Sequence, residues 1–240
     1  MLNYITSEIY RSSKSITMKI LLIAGILVPA FMGFVYSINS YAVGDITFLN
    51  FASSAMVAGS LILGILIMIV IYKSKEIYSL LLSQGFSSFQ LVLYEYLSYI
   101  SIMILLSLLI AFVCILVEFF VSINLGYEFL KEINIFLDTY FRLLIGQISV
   151  SSFIFGFSFL TKSVGFGVLI TFLLSLLTPL LNAITINPIN PLVLRYFQPL
   201  NVFIESTSTI GLIQSYWLPL VFHILGGIYI GYLGFRKREF

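Results

Sequence analysis

The fold class that the sequence predicts is all-α, a polytopic membrane protein with six transmembrane helices. Three observations predict it. Of 240 residues, 60% are hydrophobic and 9% charged, with a mean hydropathy of +1.10, whereas soluble domains carry about 25% charged residues. The apolar residues fall into six runs, approximately 20–40, 51–72, 92–118, 139–160, 164–184 and 215–235, each close to the ~20 residues that cross ~30 Å of hydrocarbon. The basic residues gather at alternate connections between these runs, as an alternating topology requires. One domain over residues 1–240 holds all six.

Ahead of the first run, Tyr4, Ile5, Ile9 and Tyr10 share one helical face and Glu8, Arg11 and Lys14 fall mostly on the other. Two readings are open for Met1–Lys19, an interfacial helix lying in the headgroups or a basic anchor for the first span. The first run is long and has no small-residue cleavage site, which predicts a retained span and not a signal peptide. Pro29 lies inside it as a candidate kink. Small residues mark close helix contacts: Gly59 and Gly64 in the second span, Gly156, Gly165 and Gly167 where spans four and five meet, and Gly227-xxx-Gly231 in the sixth. Cys114, the single cysteine, sits in an apolar run and excludes an intrachain disulfide.

Six spans put both termini on one side. That side holds Arg11, Lys14, Lys19, Lys73, Lys75, Lys162, Arg236, Lys237 and Arg238, nine of the twelve Lys and Arg residues. Lys131, Arg142 and Arg195 remain on the other, beside Asp45, Glu118, Glu128, Glu132, Asp138 and Glu205. The positive-inside bias therefore predicts both termini in the cytoplasm. The connection from Phe119 to Asp138 is amphipathic and acidic. Thr185–Gln214 carries Pro188, Pro191 and Pro199 between apolar pairs, which predicts short outer helices between spans five and six; an exposed outer loop is the alternative.

Enzyme chemistry finds little support. His223 stands in span six without a second His, a Cys partner or an HExxH spacing, so no metal site and no catalytic residue is expected. There is no GxSxG, paired-Asp or Gly-rich phosphate motif, and the chain is expected to bind no cofactor itself. A net charge of +2 gives no reason to expect nucleic acid. The central thirds of spans one to five lack Asp, Glu, Lys and Arg, which disfavours ion-coupled transport. A path lined by Phe, Tyr, Ser, Met and Leu suits an amphipathic or lipid-like cargo better than a small ion.

The stretch Lys73–Leu91 stands apart. Lys73, Lys75 and Glu76 head it, an apolar run with Tyr78, Leu80, Leu81 and Leu82 follows as far as Ser83, and Gln84-Gly85-Phe86-Ser87-Ser88 breaks it. Gly85 supplies the left-handed residue that stops a helix, and Ser87 or Ser88 caps the next.

With these residues in view, the chain resembles the ABC-2 type permeases, the membrane half of ATP-binding-cassette exporters. Glu8-Ile9-Tyr10-Arg11 is similar to that family's E-x-x-K/R elbow helix, with Glu8, Tyr10 and Arg11 as its marked positions. Glu76–Ser88 resembles the family's coupling loop after span two, and Thr185–Gln214 lies where the family has short outer helices. The ending Phe235-Arg236-Lys237-Arg238-Glu239 looks like its F-x-[RK]-[RK]-[DE] finish. Two positions depart: Ser87-Ser88 stands where Ser-Arg is usual, and Glu95 where a Lys is usual. The resemblance implies two permease subunits, as a homodimer or heterodimer, above two copies of a separate ATPase that carries ATP and Mg. A cytoplasmic coupling helix within Lys75–Ser83 would seat in a groove of that ATPase, with spans two and five transmitting the motion. The departures imply a dedicated partner.

The expected function is therefore an exporter permease in a bacterial cell membrane, moving an antimicrobial or amphipathic peptide, or a lipid-like molecule. An Ile-, Asn-, Phe- and Tyr-rich, Ala-poor composition agrees with an A/T-rich bacterial genome. A non-transport membrane scaffold is the second class and an intramembrane enzyme the third.

Overall fold

A computed structural model describes residues 2–43, 48–73, 75–125, 129–184 and 213–237. Every regular element among them is helical: α1 Leu2–Lys14, α2 Ile16–Val43, α3 Phe48–Ile71, α4 Lys75–Ser83, α5 Ser88–Leu125, α6 Phe129–Thr161, α7 Val164–Ile184 and α8 Ile213–Arg236. Four of them, α2, α5, α6 and α8, are long and apolar enough to cross a membrane. The chain's described residues are thus all-helical, with helices of the length and composition of a membrane protein. The expected spans 51–72 and 164–184 fall on α3 and α7, whose described apolar stretches are Leu61–Ile71 and Val164–Leu174.

Helix ends differ from the hydropathy limits in an informative way. The acidic connection expected over Phe119–Asp138 is largely helix, since α5 runs on to Leu125 and α6 starts at Phe129. At 1.5 Å per residue the 38 residues of α5 reach about 57 Å, well beyond ~30 Å of hydrocarbon. Polar residues end a hydropathy window without ending the hydrogen-bonded ladder. α2 passes through Pro29 without a break. The short outer helices expected over 185–214 lie outside the described residues, except that Ile213 and Gln214 open α8.

α6 is the most buried of the membrane helices, and its polar residues explain how it can be. Ser152, Ser158 and Thr161 return their hydroxyls to the carbonyls of Ile148, Ile154 and Phe157 at 2.6–2.7 Å. A buried hydroxyl so satisfied costs little and leaves a small side chain at the contact. Other bonds cross between helices. Tyr96 meets Ser152 at 2.7 Å, Tyr99 donates to the Gly64 carbonyl at 2.9 Å, and Ser107 donates to Gln147 at 3.0 Å.

The most extensive helix pair is α6 with α8. Small residues make it: a Cβ on Gly156 would stand 2.6 Å from the Gly227 carbonyl oxygen, and Gly227 and Gly234 lie against the backbone of Ser152 and Leu160. Gly231 packs under Phe155 and Val92, so the Gly227-xxx-Gly231 motif serves contacts within this chain. Gly64 packs against Ser151, whereas Gly59 faces open space.

Two aromatic-rich clusters fill the bundle. One lies at the end that carries Lys73 and Arg236, built on Ile67, Tyr99, Phe155, Phe159 and Phe235. The other lies at the far end, with Tyr36 edge-on to Phe48 at 5.9 Å. There Arg142 pairs with Asp138 at 2.6 Å one turn away, and Glu118 is fully buried. His223 is buried edge-on to Phe153, a helix-packing position.

Candidate functional site

The candidate site is at the basic end, where α1, α4 and the first turns of α5 converge. α4 is nine residues long, and its end is built as the residues require. Gly85 takes φ +92°; its N–H donates to the Leu82 carbonyl at 3.0 Å, and the Phe86 N–H reaches the Leu81 carbonyl at 3.4 Å. That is the paired 5→2 and 6→1 pattern of a Schellman stop. Ser87 then caps α5: its Oγ accepts the Gln90 N–H at 3.2 Å, and the Gln90 side-chain oxygen accepts the Ser87 N–H at 3.0 Å, a reciprocal capping box. Ser88 is the first residue of α5 and not the cap.

The two faces of α4 differ. Tyr78 is fully buried and packs on Phe159 of α6 at 5.8 Å and on Phe235 of α8 at 5.2 Å. Leu81 and Leu82 are half-buried against the same core. Ile77 and Leu80 are exposed, at 44% and 58%, beside exposed Glu76 and Ser83. Of the three leucines in the run, then, only Leu80 faces outward. The Ser83 hydroxyl turns back to the Leu80 carbonyl at 2.7 Å, and Gln84 is exposed. Phe86 is half-buried, with its ring 6.0 Å from Tyr4 and 6.4 Å from Tyr94. Lys75 starts the helix; its side chain lies outside the described residues.

α1 corrects one expectation. Glu8 was assigned to the polar outer face of α1, yet it is 7% exposed. Its carboxylate takes Arg11 through Nε at 2.9 Å and a terminal nitrogen at 2.7 Å, and the Lys73 ammonium at 3.1 Å. Lys73 also ion-pairs with Glu95, which is completely buried, and lies 2.9 Å from the Tyr4 hydroxyl. Tyr4 donates to Glu95 at 2.6 Å. Burial first, and then the Glu95 carboxylate, raise the Tyr4 phenol above its ordinary value, so Tyr4 stays a protonated donor. Tyr10 faces out at 64% exposure under the Lys14 ammonium.

Sequence reasoning named Glu8, Arg11, Lys73 and Glu95 separately and missed that they form one group. Two cations and two carboxylates close a balanced cluster there, which is the condition under which charges tolerate burial. The available signal was opposite charges near the same ends of successive spans.

Away from this end, an apolar cleft of about 410 Å³ opens between α2, α3, α5 and α6, walled by Ala24, Pro29, Leu63, Ile110 and Cys114, with Ser107 as its polar lining residue. Among the described residues no group of His, Cys, Asp and Glu is arranged to hold a metal. No protein-family model, curated protein or solved structure matches the chain.

Proposed function

We propose that the chain is the membrane-spanning subunit of an ATP-binding-cassette exporter of the ABC-2 kind. The observation that carries this reading is the division of α4 into two faces. One face is fixed in the bundle by Tyr78, and the other leaves Ile77 and Leu80 exposed. A short helix that is both anchored in a membrane body and apolar toward the outside suits the transfer of a push from a separate protein. Glu76 and Lys75 beside the exposed pair suit steering of that partner.

In this reading α2, α3, α5, α6, α7 and α8 are the six crossings and both termini are cytoplasmic. Two permease subunits pair above two ATPase subunits, which bind ATP and Mg. The cargo is an amphipathic or hydrophobic molecule, best an antimicrobial peptide, in a bacterial cell membrane. The apolar cleft with its few polar atoms agrees with that cargo class.

Co-expression with an ATP-binding-cassette ATPase encoded beside the gene tests the reading. The pair is expected to co-purify in detergent, and Ile77→Asp with Leu80→Asp is expected to abolish co-purification without changing the elution volume of the permease. Unchanged co-purification, or no ATPase bound to the unaltered chain, would sink it.

A further inference from the structure

Lys73 stands in the link between α3 and α4 and touches three helices. Its ammonium lies on Glu8 and Tyr4 of α1 and on Glu95 of α5, while its backbone N–H points to the Tyr78 hydroxyl of α4 at 3.4 Å. The same ammonium sits 5.1 Å from the Tyr4 ring centre and 5.9 Å from that of Tyr78. Arg11, bound to Glu8, also reaches the Ile71 carbonyl at the end of α3 at 3.5 Å. The Lys73 and Glu95 side chains are 3% and 0% exposed.

We propose that this cluster is a joint, through which α1, the head of α4 and the start of α5 move as one unit. The physical reason is an asymmetry between two kinds of attachment. Separating buried charges leaves each of them desolvated and unpaired, which is among the most costly changes a folded chain can undergo. The cluster therefore travels whole and does not open. The attachment of α4 to α6 and α8 is aromatic: the Tyr78 ring meets Phe159 and Phe235. Ring contacts are weakly directional and tolerate sliding. α4 is thus tied to α1 and α5 through Lys73 and its charged cluster, and to α6 and α8 through ring contacts. A displacement of α4 carries α1 and α5 with it, and slides across α6 and α8. On this account α1 is a moving part and not a passive anchor, and Tyr4, Glu8 and Glu95 are positioning residues for α4.

The inference takes its purpose from the exporter reading, but its test needs no ATPase, so the two fail separately. Hydrogen exchange is measured on the purified chain in lipid nanodiscs, unaltered and as Lys73→Met with Glu95→Gln. The double variant removes the joint while leaving no unpaired buried charge from this pair. Exchange is expected to rise roughly tenfold or more, together, over residues 2–14 and 75–83, with α6 and α8 unchanged. A rise over 2–14 alone would show that Lys73 merely ties down α1, and no rise would show that packing holds both; either result overturns the joint. If exchange rises along the whole chain, Tyr4→Phe decides, because it removes one hydroxyl and no charge. A smaller, joint rise in the two segments supports the proposal, and a rise in one or neither overturns it.

Discussion

Lys73 and Glu95 hold buried charges that the packing at the basic end of the bundle accepts only as a pair. Removing one partner of a buried pair costs on the order of 3–5 kcal/mol, whereas replacing both by apolar or neutral groups is often close to neutral. Lys73→Met alone is therefore expected to lower the thermal midpoint of the detergent-purified chain markedly. Adding Glu95→Gln to it should recover most of the loss, as read by a fluorescent thermal-shift assay. Independent, additive losses would contradict the pairing. Little of this was legible beforehand. A helical wheel placed Glu8 outward because it weighs α1 by itself, and nothing in α1 says that Lys73 comes to it from the end of another helix. Glu95 was visible as an ionisable residue near a span end, but its partner depends on the register of α3 against α5.

At the scale of elements, local signals were read well and facing was not. Gly85 and Ser87 stop one helix and start the next through bonds to residues within five positions, so their chemistry is complete in the sequence. Gly85→Ala meets no steric contact and is expected to cost roughly 1–2 kcal/mol through the left-handed backbone alone. Ser87→Ala is expected to cost about 1 kcal/mol through loss of the cap; equal stability of either variant and the unaltered chain would contradict the assigned turn. The facing of α4 was harder, because Ile77, Tyr78 and Leu80–Leu82 surround a helix of nine residues with apolar groups. Only the position of Phe159 and Phe235 selects Tyr78 as the inward residue. The same logic separates the glycines. Gly156→Leu is expected to prevent folding or to separate α6 from α8, since the Gly227 backbone occupies the space, while Gly59→Ala is expected to leave expression and thermal midpoint unchanged. Size-exclusion profiles of the two variants check both.

For the whole molecule, the six apolar runs carried the helical plan, and each falls on a helix of equal or greater length, 51–72 overrunning the end of α3 by one residue. What hydropathy could not carry was the continuation of α5 and α6 past the apolar limits, because a helix persists through polar residues once its ladder is formed. The topology that the charges predict is open to a direct check. Cysteine labels before α1 and after Arg236 should react only from the cytoplasmic face, and one at residues 126–128 only from outside. The central claim, that α4 receives force from a separate ATPase, is tested most directly by placing a photo-crosslinking amino acid at Leu80 or, as a control, at Leu82 in cells that co-express both proteins. Leu80 is exposed and Leu82 is packed against the core. The account predicts an ATPase adduct from position 80 and none from position 82. No adduct at 80, or equal adducts at both, would contradict it.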